Sequence, residues 1–199
     1  MGNYRDNVLE TIARLVIKEY NPELLTCPTA IPIEDIIERQ YGLVIDYQYI
    51  RNNGRILGET VFDDTWIPVY DKENSRYMWI EVKGGTIIAD ASLLNNRSDG
   101  RLRFTLAHEL SHWLIHQNIY AGSGMPAAMT KNAVKSSDEG ATIERQADTL
   151  SSFLLMPAGQ VKMAFHRARP TADSAAALAD MFGVSKQAMQ IRLKEMRLV

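Results

Sequence analysis

Cysteine is almost missing from this chain, with Cys27 the sole thiol. That excludes an intrachain disulfide framework and any multi-thiolate metal site within one chain. An excess of one charge is missing too, because 22 basic against 24 acidic residues leave a formal net charge of −2. Wholesale electrostatic binding to nucleic acid is disfavoured on that ground, while a local basic patch stays open. No stretch reaches about 18 uninterrupted apolar residues, so no membrane span is expected. The opening Met1-Gly2-Asn3-Tyr4-Arg5-Asp6 is polar, without the apolar core of a signal peptide. Asp6 also stands where a myristoylation pattern wants Ser or Thr. The expectation is a soluble, cytoplasmic protein with no membrane partner. Histidine is scarce as well, at four residues. Any metal must therefore be held by His, Asp or Glu.

What is present is enough for a sizeable core, with 199 residues of which 46% are hydrophobic. Val8, Ile12, Leu15, Val16 and Tyr20 recur at helical spacing, and Asn21-Pro22 ends that helix. Pro32 opens a second helix with Ile33, Ile36, Ile37 and Tyr41 on one face and Gly42 as its stop. From Leu43 the runs shorten to β type: 43–50, 57–62, 66–70, 77–82 and 86–90. Asn53-Gly54, Asp63-Asp64, 71–74 and Gly84-Gly85 punctuate them as turns of antiparallel hairpins would. Helical patterns return over about 99–117, 141–155, 158–167, 172–182 and 185–197. This order predicts an α+β fold with a meander sheet and a helical core. Residues 118–140 show no period, and a spacer of that length suits a lid over a site.

The segment Arg103-Phe104-Thr105-Leu106-Ala107-His108-Glu109-Leu110-Ser111-His112 contains H-E-x-x-H. On a helix, His108 and His112 project from one face about one turn apart, and two imidazoles so placed can bind one tetrahedral Zn²⁺. Glu109 can lean toward a water activated by the ion, take its proton and hand it to a leaving amine. Such a match arises by chance with odds of roughly one in two hundred at this composition, so a third ligand decides the matter. Glu144-Arg145-Gln146-Ala147-Asp148 supplies one. Glu144 and Asp148 share a helix face, and Ala147 between them permits a close approach to the His-bearing helix. The longer Glu144 is the better third ligand. Asp148 suits an outer role, accepting a hydrogen bond from the far ring nitrogen of a ligating His.

These two segments, the second running on to Leu154-Leu155-Met156-Pro157, resemble the ImmA/IrrE family of zinc metallopeptidases. The similarity extends in order over most of the chain, from the first helix through Gly42-Leu43-Val44-Ile45 and Ile87-Ile88-Ala89-Asp90 to the C-terminal segment. The resemblance implies a zincin-like fold, with His108, His112 and Glu144 as zinc ligands and Glu109 as catalytic base. It also implies site-specific cleavage of a helix-turn-helix repressor in a phage, mobile-element or stress circuit. Ser111 stands where the family usually has Gly, and Leu150-Ser151 where it has Phe-Ala. Neither position is a proposed ligand.

Other features carry less. His116 continues the i+4 series, but three such positions drift around the helix and cannot all bind one ion, so a helix-end role is expected. His116, Tyr120 and His166 are left as candidates for stabilising an oxyanion. Cys27 reads as a buried or incidental thiol. The 170–199 segment looks like a helix-turn-helix, with Gly183 ending one helix and Ser185 capping the next. Residues 160–199 hold seven Lys/Arg against three Asp/Glu, so this end is basic. Direct DNA binding competes there with a helical pair that packs on the catalytic unit or grips a partner. The division expected is a metallopeptidase domain over 1–169 with the helical pair over 170–199. The competing function is a non-enzymatic regulator that binds DNA or a repressor through those helices.

Overall fold

The computed structural model describes residues 4–50, 56–121, 138–168 and 174–199. The Asn53-Gly54 turn, most of the 118–140 spacer and the 169/170 division fall outside them. Helix α1 spans Asp6–Tyr20 and buries Leu9, Ala13, Val16 and Ile17. Val8 and Leu15, expected on the inner face, are exposed. Apolar residues flank both sides of this stripe, so spacing alone centres it one residue off. A 3₁₀ turn at Pro22–Leu25 follows, started by the Asn21 side chain, which accepts from the Glu23 N–H at 3.0 Å. Cys27 beyond it is exposed. Helix α2, Ile33–Asp35, widens into a π turn over Ile36–Gln40, and Gly42 at φ 65° reverses the chain.

The strands are β1 (Val44–Gln48), β2 (Gly58–Val61), β3 (Thr65–Asp71), β4 (Arg76–Val82) and β5 (Thr86–Asp90). Their locations match the expectation and their order does not. Instead of a meander they form a β3–β4 hairpin and a separate three-stranded sheet ordered β1-β5-β2. In that sheet β5 pairs parallel with β1 (Ile45 opposite Ile87) and antiparallel with β2 (Thr60 opposite Ile87). The cause is written in β5, whose every residue is buried. A strand apolar at consecutive positions must be covered on both faces, which places it centrally. Ile87 and Ala89 join the helical core, while Ile88 packs with Ile50, Val61, Ile67, Val69 and Val82. The other face of the hairpin leaves Trp66, Tyr77 and Trp79 exposed, so these are sheet-face residues.

A 3₁₀ segment, Ala91–Asp99, leads to Gly100 at φ 72° and then to helix α3, Arg101–Tyr120. Helix α4, Asp138–Leu155, packs against both α1 and α3. Helices α5 (Ala158–Arg167), α6 (Ser174–Phe182) and α7 (Lys186–Glu195) complete the described chain. Gly183 at φ 63° ends α6, and Ser185 caps α7 by accepting from the Ala188 N–H at 3.1 Å. The α6–α7 pair is not an appendage. Leu178, Phe182, Val184, Met189 and Leu193 belong to the same core cluster as α1 and α3.

Arg192 of α7 is only 4% exposed. It donates to the Met156 carbonyl at 3.1 Å and to Glu10 at 2.9 Å, and its guanidinium lies 4.2 Å from the Phe153 ring centre. Arg192→Met keeps the stem's packing but loses both charged hydrogen bonds. It is expected to lower unfolding stability by about 2 kcal/mol in urea titration, with Glu10 still held by the Ala158 N–H.

Candidate metal centre

The site is assembled where α3 crosses under the sheet and meets α4. The buried face of α4 reads Ile143, Gln146, Ala147 and Leu150, and Ala147 is fully buried. With α4 seated on α3, Glu144 comes to the two histidines. His108 Nε2 and His112 Nε2 are 3.0 Å apart. Glu144 Oε2 is 3.7 Å from the first nitrogen and Oε1 is 3.5 Å from the second. Among the described residues, these three form the group able to hold a metal, their ligand atoms all within 4.8 Å of one another. A tetrahedral ion with nitrogen and oxygen ligands separates its donors by about 3.3 to 3.6 Å, so the triad fits such an ion.

Asp148 sits 59% exposed on the outer side, its Oδ1 2.9 Å from His108 Nδ1. As a carboxylate it accepts the Nδ1 proton, which leaves the Nε2 lone pair of His108 facing the other donors. Glu109 lies beside them, buried, on the sheet side of α3. Two residues of β2 hold it there. Thr60 Oγ1 is 2.7 Å from Glu109 Oε2 and 2.8 Å from the Glu109 carbonyl, and its one proton serves either acceptor. Gly58 lets the strand come close, since a Cβ there would stand 2.8 Å from Glu109 Cγ.

His116 departs from its expected helix-end role. It is buried behind His112, Nδ1 to Nδ1 at 3.1 Å, with its Nε2 3.1 Å from Gln146 Oε1. Tyr120 is buried as well, stacked on Phe62 with centroids 5.4 Å apart and edge-on to His112 at 6.1 Å. Burial, reinforced by Glu144 and Glu109, pushes its phenol well above the ordinary value, so it stays protonated. His166 is exposed on α5 with its ring against Phe165. Ser111 and Ser151 are fully buried and satisfied within their own helices, donating to the Ala107 carbonyl at 2.7 Å and the Asp148 carbonyl at 2.8 Å.

Gly58, Thr60 and Gln146 escaped the sequence reading, although two left a trace. A glycine inside a strand pattern marks a close backbone approach. Gln146 is a polar residue at a core position of α4. Thr60 left none.

Residues 93–194, just over half of the chain, match the model of the Peptidase M78 family, described as an IrrE N-terminal-like domain. The chain belongs to this family. Membership in Peptidase M78 brings a metallopeptidase-like or regulatory role, and the His108–His112–Glu144 group falls inside the matched residues. No curated relative matches. A solved structure of a Mycobacterium tuberculosis transcriptional regulator is similar at a TM-score of 0.50 and 16% identity. The match covers 95% of this chain and 48% of that one, so this M78 chain spans about half the length of the regulator. At that identity the likeness shows the fold, a mixed α+β architecture in keeping with a zincin-like M78 domain. No described helix is long and apolar enough to cross a membrane.

Proposed function

We propose that this M78 protein is a zinc-dependent endopeptidase whose substrate is a protein, a helix-turn-helix repressor. The observation that carries the reading is the convergence of His108, His112 and Glu144 beside a buried Glu109 that β2 holds in place. His108, His112 and Glu144 would hold the ion, and Asp148 orients His108. Zn²⁺ at such a site supplies Lewis acidity, which acidifies water and polarises a scissile carbonyl. Glu109 accepts a proton on its carboxylate and returns it to the leaving amine. Thr60 steadies that carboxylate, and buried Tyr120, stacked on the half-buried Phe62, packs edge-on against His112.

The regulatory half of the family role enters through the substrate, a repressor cut at one place. The α6–α7 pair then serves as part of the enzyme's body, packed on the domain that precedes it. The inward turn of Arg192 supports this over DNA reading by α7, because the guanidinium is spent on Met156 and Glu10. The test is metal content with cleavage. Purified protein should bind one zinc per chain and cut a co-purifying repressor. Chelator should stop the cut and added zinc restore it. Protein that takes up no zinc, or cuts equally well in chelator, sinks the proposal.

A further inference from the structure

We infer that Gln146 and His116 form a buried positioning pair that fixes the tautomer of His112, so that its Nε2 is ready to bind metal. The inference rests on the metal reading above and goes beyond it, since neither residue is a proposed ligand. Protons can be assigned along one line of contacts, Gln146–His116–His112. Gln146 Oε1 is a carbonyl oxygen and only accepts, so the His116 Nε2 facing it at 3.1 Å must carry a hydrogen. A neutral imidazole carries one N–H, which makes His116 Nδ1 an acceptor. His112 Nδ1, 3.1 Å from it, must then be the donor. The Nε2 lone pair of His112 is thereby directed at His108 Nε2 and Glu144, at 3.0 and 3.5 Å.

The reverse order, with an amide N–H donating to His116, would put the hydrogen of His112 on Nε2 and block the ligand position. Burial makes the arrangement matter. Gln146 is 2% exposed, His116 1% and His112 0%, so water has little access to exchange one tautomer for the other. His108 reaches the same state by a different route, through the half-exposed Asp148. One ligand is set from the surface and the other from the core.

The experiment uses the whole zinc-loaded protein labelled with ¹⁵N at histidine. Long-range ¹H–¹⁵N spectra should show His112 protonated at Nδ1 and His116 at Nε2. His116 protonated at Nδ1 instead of Nε2 overturns the inference without any variant. Zinc affinity by chelator competition gives the second readout. Gln146→Met removes the acceptor at similar length and should weaken zinc binding by about 10- to 100-fold. Gln146→Glu retains an acceptor and should restore affinity to within about threefold of wild type, a rescue that mere packing does not predict. Wild-type protein that binds no zinc overturns the metal reading and this pair with it. Tight zinc binding by both wild type and Gln146→Met overturns the pair alone.

Discussion

Glu109→Gln is expected to leave the chain folded and zinc-loaded while lowering the cleavage rate by about 10²- to 10⁴-fold. The substitution is nearly isosteric, and the Thr60 hydroxyl that sits 2.7 Å from the carboxylate can donate to an amide oxygen as well. What the amide cannot do is take up a proton. The measurement is single-turnover cleavage of a captured repressor at saturating enzyme, with metal content determined on the same sample. Full zinc occupancy with the cut lost assigns proton transfer to Glu109. Cleavage within twofold of wild type removes it from the chemistry, and zinc loss would instead make it part of the metal's support.

Gly58→Ala should come close behind, although position 58 offers no functional group. The added Cβ would stand 2.7 Å from Thr105 Cγ2, 2.8 Å from Glu109 Cγ and 2.9 Å from Glu109 Oε1. None of these can yield cheaply, because Thr105 is β-branched on the same buried helix face and Glu109 is held by Thr60. Either β2 lifts from α3 or the Glu109 side chain turns away. Overpacking of this kind costs about 1–3 kcal/mol of stability. A shift of the carboxylate by about 1 Å costs about 10²-fold in rate. Zinc content should be unchanged, because the clash falls on Glu109 and Thr105 and on none of the three donors. Thr60→Val, which removes the hydroxyl and adds no bulk at the strand, should lose less. Wild-type cleavage by Gly58→Ala would show that the strand does not hold Glu109.

Most of the helices, and the grouping of the candidate site residues, are legible in the sequence because they are local. His108, Glu109 and His112 lie within one helical turn, and Glu144 and Asp148 share another. The meander expectation failed because strand order is a matter of long-range pairing. The turn signals between β1 and β4 suggest successive hairpins and conceal that β5 returns to lie between β1 and β2. The uninterrupted apolar run of β5 was the available clue, and reading it as one more hairpin strand missed its central place. The contacts of Glu109 were hidden for the same reason, since Thr60 lies 49 residues earlier. Helix geometry alone places His116 at a helix end, and it is the arrival of Gln146 from α4 that gives its Nε2 a buried partner.

The Glu10–Arg192 ion pair closes the molecule across 182 residues of chain. A ribosome builds the proposed metal ligands well before it delivers α7, and until then Glu10 and the Met156 carbonyl have no guanidinium to meet. A chain still in synthesis therefore carries the proposed cutting residues on an open core, with Phe182, Val184, Met189 and Leu193 not yet available to seal it. Helix α7 thus takes part in closing the core on which the proposed site is built, rather than being added to a finished one.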